Sequence, residues 1–426
     1  MIAAHGARCP RLLILWLLAL LLLGLVPVHG LTPSILAGEK LDLEEELRLL
    51  RDGGSVPTRI SGARYRFSVF TFEDPDGTGL GNAFATIISH DLLANGKVSS
   101  LGVLRYLGEL GKANDERQLR YFDKVEPLIE SQGVQVAVWG MIRRTDKGIR
   151  VDSYVQLSPS VMQKAFSFSF QPPRGMRSAP LVHRVGPDRL LTQRREFTFE
   201  EAQGLAAVAQ DLNRLRTAPN DNAPTAAVLP LGKVYSLIEQ RNNWVKISIQ
   251  NGKSGWLRTS GFCPGACAPL LDVSQFASEL MAYVEHKRRI PNRSSSLADD
   301  AKAFIDQLLA IDALNHAPYK KAIHILEPWC DSQSAVPSPG GAATCNLRAL
   351  VQIVGPIRSA AARGRYRPLK RERISKVTER LAKDSLSDPR HVPTLSNLAI
   401  LFSWLGDRER AKLASQLAET ALSVNE

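Results

Sequence analysis

The sequence predicts a multidomain chain: an α/β amino-terminal domain, a small all-β barrel in the middle and an all-α carboxy-terminal domain. Three observations predict it. Up to residue 171 apolar residues alternate between strand and helix spacing. From Leu212 to Phe262 short alternating runs are cut by turn residues. Beyond Cys267 the apolar residues fall at helical spacing. The 426 residues are enough for about two to four domains. A composition of 44% apolar and 23% charged residues is globular and excludes wholesale disorder. The net charge of +12 favours anionic partners (lipid headgroups, envelope polyanions or nucleic acid) and says nothing about fold.

The first thirty residues read as a leader. Arg8 and Arg11 stand in an acid-free start, Leu12–Val26 is almost unbroken apolar sequence, and Val28-His29-Gly30 offers small residues for cleavage. The expectation is a signal peptide over 1–30 and a periplasmic mature chain. The alternative is an uncleaved inner-membrane anchor facing the periplasm, for which Leu12–Val28 is at the short limit of about 17 residues. Cys9 leaves with the leader. Cys263, Cys267, Cys330 and Cys345 remain, an even count that suggests two local disulfides in an exported chain. A zinc site is the rival, but it needs all four thiolates to converge at a spacing unlike a zinc ribbon.

An α/β domain is expected over 40–171. Leu41–Arg51 reads as a short acidic amphipathic helix, and Tyr65–Phe72 alternates as a strand does. Leu80, Phe84, Ile87, Ile88 and Leu92 predict a helix with one buried face. A further helix is expected through Val125–Ser131. Extended segments follow over Val134–Ile142, Ile149–Leu157 and Met162–Phe170, with Asp146-Lys147-Gly148 turning between the first two. Phe67–Phe72, the Gly79-Leu80-Gly81 helix opening and the strand Gly133–Arg144 followed by Ile149-Arg150-Val151 resemble the amino-terminal domain of TolB and TolB-like envelope proteins. The resemblance implies a non-enzymatic α/β domain used for partner contact.

The Pro-, Arg- and Gly-rich stretch over 172–197 reads as a linker. Thr198 with Glu201 three residues on is a capping-box signature, ahead of a short helix over Glu200–Asp211. Short strands then flank turns at Gly232, Asn242-Asn243 and Asn251-Gly252, as a small β-barrel requires. Leu215-Arg216-Thr217-Ala218-Pro219, Asn243-Trp244-Val245-Lys246-Ile247 and Gly252-Lys253-Ser254-Gly255-Trp256-Leu257 strongly resemble a bacterial SH3 (SH3b) domain across 212–262. The resemblance implies docking to peptidoglycan or to a protein partner. Trp244 and Trp256 are candidate ligand platforms, with barrel closure as the plainer role.

A helical domain is expected over 273–426. Val273–His286 and Leu297–Leu314 carry helical spacing, and Ser332–Thr344 reads as a low-complexity loop between paired cysteines. Leu398, Ala399, Phe402, Gly406, Ala411 and Ala418 resemble one tetratricopeptide repeat and the end of another. Such repeats imply a concave protein-binding face, and a stable stack needs about three.

No His-Glu-x-x-His or Gly-x-Ser-x-Gly motif occurs, and no metal or cofactor site is expected. Gly77-Thr78-Gly79-Leu80-Gly81 stands where backbone amides can cradle phosphate but lacks the Lys-Ser/Thr of a P-loop. Gly252-Lys253-Ser254 imitates a P-loop end inside a hairpin turn. One basic cluster holds Lys287, Arg288, Arg289 and Arg293. A larger one runs through Arg358, Arg363, Arg365, Arg367, Lys370, Arg371, Arg373 and Lys376. The larger can hold an anionic membrane surface or an acidic partner, and a solvated helix face is the plainer role. Export and the single aromatic Tyr366 disfavour nucleic acid.

The expected function is a non-enzymatic periplasmic binding or scaffold protein that docks peptidoglycan or envelope proteins. The alternative is a peptidoglycan hydrolase or an activator of one. Thiol alkylation of the exported chain, followed by mass spectrometry, is expected to label no cysteine before reduction and four after it. A mass consistent with removal of residues 1–30 is expected from the same spectrum.

Overall fold

Beyond the expected linker position, the chain keeps adding strands to one sheet. The structure is a computed structural model that describes residues 63–98, 101–106, 125, 129–130, 133–172, 178–187, 189–212, 214–228, 234–249, 253–259, 261, 263, 265–286, 289–316, 318–330, 339–364 and 370–425. The leader and the acidic stretch Leu41–Arg51 lie outside the described residues, as does most of Val125–Ser131.

Strand β1 (Tyr65–Phe70) leads through helix α1 (Gly81–Asn95) to β2 (Leu101–Tyr106), a strand the apolar pattern did not announce. β1 pairs in parallel with β2 on one side and with β3 (Val136–Thr145) on the other. β3 turns through Asp146-Lys147 into antiparallel β4 (Gly148–Leu157), the expected hairpin. The third expected strand is corrected in its first half. Pro159–Ala165 forms helix α2, because Pro159 at the first helical turn has a preset φ and costs no hydrogen bond there. Only Ser167–Phe170 is extended, as β5.

The linker expected over 172–197 is also corrected. It contains β6 (Leu181–Arg184), which pairs with β5, and β7 (Arg189–Thr198), which pairs with β4. Its many arginines hid the strand pattern because β7 is a sheet edge. Leu190, Thr192, Gln193 and Phe197 are buried while Arg194, Arg195 and Glu196 are exposed. A bulge leaves Thr192 unpaired between Leu191 and Gln193, and its carbonyl accepts the Ala298 amide at 2.8 Å.

Helix α3 (Phe199–Leu212) opens on the predicted capping box. The Thr198 amide donates to Glu201 Oε2 at 2.8 Å, and the Glu201 amide donates to Thr198 Oγ1 at 3.2 Å. β8 (Arg214–Arg216), β9 (Thr225–Val228), β10 (Val234–Arg241), β11 (Trp244–Ile249) and β12 (Ser254–Arg258) follow. β10 pairs antiparallel with β2, Tyr235 opposite Val103. The result is one ten-stranded sheet, β7-β4-β3-β1-β2-β10-β11-β12-β8-β9.

Among the described residues seven α-helices follow: α4 (Ala268–His286), α5 (Asp299–His316), α6 (Tyr319–Leu326), α7 (Pro339–Ala361), α8 (Arg371–Asp384), α9 (Val392–Trp404) and α10 (Arg408–Asn425). α7 starts inside the expected Ser332–Thr344 loop. α9 and α10 form the helix–turn–helix that the sequence marks, turning at Gly406, whose φ of +78° favours glycine. α4 packs against α1 and the sheet as well as opening the helical region. One cluster of buried side chains runs from Tyr65 to Ala414, so strand-rich and helical regions share a core.

Helix α1 departs from the expected single buried face. Thirteen of its 15 residues are buried, including Ser89, His90 and Asp91. Strands β1 and β2 cover one side; α3, α4 and strands of the barrel region cover the others.

The cysteines pair as Cys263–Cys267 and Cys330–Cys345, with Cα separations of 5.7 and 5.5 Å. The two bonds serve different places, which removes a shared zinc site. The first joins the exit of β12 to the start of α4. The second ties the end of α6 to α7 across 15 residues. Replacing Cys330 and Cys345 together by serine is expected to lower stability by about 3 kcal/mol, read as a lower urea midpoint; an unchanged midpoint would show that the packing of α6 on α7 needs no tie.

Candidate binding surface

The five strands β8 to β12 present two faces of opposite character. Residues directly opposite one another in an antiparallel pair point to the same side. On the inner side Leu215, Val245, Ile247 and Leu257 are buried in the common core. The outer side carries two rows. One row reads Glu239, Lys246, Trp256 and Arg216; the next reads Arg241, Trp244 and Arg258.

Local chemistry fixes these rows. The β10–β11 turn places Asn242 at φ 48°, a left-handed position that asparagine tolerates better than most residues. A bulge between Leu237 and Glu239 leaves Ile238 unpaired and 53% exposed. Gly255 lies under Leu215, where an added Cβ would sit 2.6 Å from the Leu215 Cβ, so the inner face admits only glycine there.

The two tryptophans separate in role. Trp256 is 5% exposed, and the Arg241 guanidinium lies 5.4 Å from its ring centroid. It is buried rather than open to a ligand. Trp244 is half-buried and stands between Arg241 and Arg258 in its row and beside Lys246. Arg241 also pairs with Glu239, and Arg258 with Asp221 at 3.3 Å. This surface therefore centres on one half-buried aromatic residue bordered by cations that acids partly balance.

The far end of this sheet is tied to α1. The Arg258 carbonyl accepts a 2.6 Å hydrogen bond from His90 Nε2, which therefore carries the ring proton. Asn95 Nδ2 donates to the Thr259 carbonyl at 3.1 Å. Burial pushes the His90 pKa down from 6.5 to about 4.

The other sequence candidates fall elsewhere. The glycine turn before α1 is already filled: the Asp74 carboxylate accepts the Thr78 and Gly79 amides at 2.8 and 2.6 Å. Those donors are the ones a phosphate would need. In the larger basic cluster, Arg365 and Arg367 lie outside the described residues. Arg363 and Lys370 are exposed, Arg373 is half-buried, and Arg371 donates to the Leu405 carbonyl at the end of α9. Arg371 thus caps a helix, and this cluster is not continuous with the Trp244 face in any strand pairing. In the smaller cluster, Arg293 pairs with buried Asp306 at 3.3 Å. Among the described residues no group of three or more His, Cys, Asp or Glu side chains converges as a metal site. Sequence reasoning missed the Arg241, Lys246 and Arg258 border of Trp244, because only strand register assembles it.

Residues 211–262 match the bacterial SH3 domain family (SH3_3), which agrees with the strand pattern and turns of this region. No curated protein matches the chain.

Acid should weaken the α1 tie. His90 titrates near 6.5 when unfolded and near 4 when folded, so the unfolded chain takes up its proton first. Stability from this residue is full above pH 6.5 and declines as pH falls towards 4, at about 1.4 kcal/mol per pH unit. Urea midpoints of His90→Gln, whose amide still donates to Arg258, are expected to fall less steeply across that window than those of the parent chain.

Proposed function

We propose that the chain is a non-enzymatic binding protein of the bacterial cell envelope, exported by its leader, whose SH3b region docks peptidoglycan or an envelope protein through the Trp244 face. Bacterial SH3 domains are commonly cell-wall-binding modules. The observation that carries the reading is the half-buried Trp244 bordered by Arg241, Lys246 and Arg258 on the outer face of that region. An aromatic face packs on a sugar ring or an apolar side chain, and the cations suit the carboxylates of the wall peptide. The TolB-like reading of the amino-terminal region and the repeat-like reading of α9 and α10 would add protein contacts on the same scaffold.

Co-sedimentation of the mature chain with purified sacculi tests this. The parent is expected to pellet, and Trp244→Ala to lose at least about tenfold in affinity, equivalent to roughly 1.4 kcal/mol, with an unchanged circular dichroism spectrum. Zymography on the same wall is expected to show no clearing. Clearing would favour the hydrolase reading. Equal pelleting of parent and variant would move the site off this face.

A further inference from the structure

We propose that the β5–β6 hairpin is an acid-released latch, seated on α7 and α9 through its own backbone and unseated when His183 and His391 take up protons. This inference stands independently of the sugar- or protein-docking role of the SH3b region.

The seat is built from carboxamides. The Val182 amide on β6 donates to Asn397 Oδ1 at 2.8 Å. The Val182 carbonyl accepts from Asn397 Nδ2 at 2.6 Å and from Asn346 Nδ2 at 3.4 Å. Asn397 Nδ2 also donates to Asn346 Oδ1 at 2.9 Å, which holds the two side chains together. A carboxamide offers one donor group and one acceptor, as a peptide unit does. Asn397 therefore grips β6 as a neighbouring strand would, without reading a side chain. Both asparagines are fully buried. Just beyond β6, the Gly186 amide donates to Gln307 Oε1 of α5 at 3.1 Å. Gly186 sits at φ +55°, and an added Cβ would lie 2.3 Å from the Phe304 ring. The hairpin exit is seated on α5 as the strand is on α7 and α9.

Two histidines occupy this interface, His183 buried and His391 half-buried. His183 is buried on β6, with Nδ1 3.4 Å from Asn346 Nδ2. His391 precedes α9, with Nδ1 2.6 Å from Thr394 Oγ1. Among the described residues, His391 acts on His183 and Arg184 acts on His391. α5 contributes neutral Gln307, α7 neutral Asn346 and α9 neutral Asn397. Protonating both rings would place two new cations near Arg184, one of them on the buried His183. Burial, reinforced by these cations, pushes His183 down to about 3 and His391 to about 4. Both return towards 6.5 once exposed. The seated state is therefore fully favoured above pH 6.5 and loses ground as pH falls. The equilibrium therefore shifts towards the open hairpin as pH falls from 6.5 towards 4. Opening leaves Asn346 and Asn397 vacant for the backbone of another extended strand.

Spin labels on Ser169→Cys (β5) and Ser403→Cys (α9), both exposed positions, test this in the full mature chain, whose four native cysteines are in disulfides. Pulsed electron resonance is expected to show one distance at neutral pH and a second, longer population at about pH 5, with helical circular dichroism retained. In a His183→Gln/His391→Asn background the single distance is expected at both pH values. If that pair of substitutions prevents folding, His391→Asn alone keeps a good helix cap and should shift opening to lower pH. A distance that stays single at about pH 5, opening unchanged by the histidine substitutions, or opening that coincides with loss of helix would each overturn the latch.

Discussion

Helix α1 has almost no solvent face, and the other regions are arranged around that constraint. An apolar helix is easily covered on one side by a sheet. Ser89, His90, Asp91 and Asn95 make the remaining sides costly to cover unless each polar atom meets a partner. Ser89 turns back onto the Ala85 carbonyl within α1, and the other partners come from two further parts of the chain. The barrel region supplies the Arg258 and Thr259 carbonyls. Helix α4 supplies the Ser274 hydroxyl to Asp91 and the Ser278 hydroxyl to the Lys97 amide just beyond α1. The capped helix α3 packs on the same rod. Displacing the barrel region or α4 would leave a buried polar group of α1 without its partner, so these hydrogen bonds fix position as much as they add stability.

The second consequence is directional. An SH3-like region on a flexible tether presents its surface at any angle. Here β10 is hydrogen-bonded to β2, and the inner faces of both sheet halves pack on α1. The Trp244 face is consequently held at a fixed angle to the amino-terminal sheet. The edge of the sheet at β7 is blunted by a bulge, by Arg194 and Arg195, and by the Ala298 amide at the entry to α5. At β7 the fused sheet therefore offers no smooth edge for pairing with another chain.

The contact between β6 and the helices follows a different logic from the core. Leu181, Val185 and Phe170 supply apolar burial, but the register of the hairpin on α7 and α9 is set by Asn346 and Asn397. Hydrophobic contacts tolerate sliding, whereas a carboxamide clamped on one peptide unit does not. The same segment had looked like a linker because its short strands carry few apolar residues.

The sequence by itself determined what neighbouring residues can encode. The Asp146–Gly148 hairpin, the Thr198–Glu201 cap, the barrel strands with their asparagine turn, the α9–α10 hairpin and the local pairing of the cysteines all depend on groups within a few residues, or about one loop, of each other. Of the candidate surface, the tryptophans were legible because each follows a turn, but not which of them is buried. Only the tertiary structure decided that Trp256 is buried and Trp244 half-buried, that Arg371 turns onto the Leu405 carbonyl, that β6 and β7 replace a linker, and that β10 joins β2. Those outcomes depend on partners as far apart as His90 and Arg258, separated by 168 residues. Local propensity carries no record of such a partner; the pairing exists because buried polar groups must be satisfied once the core has closed.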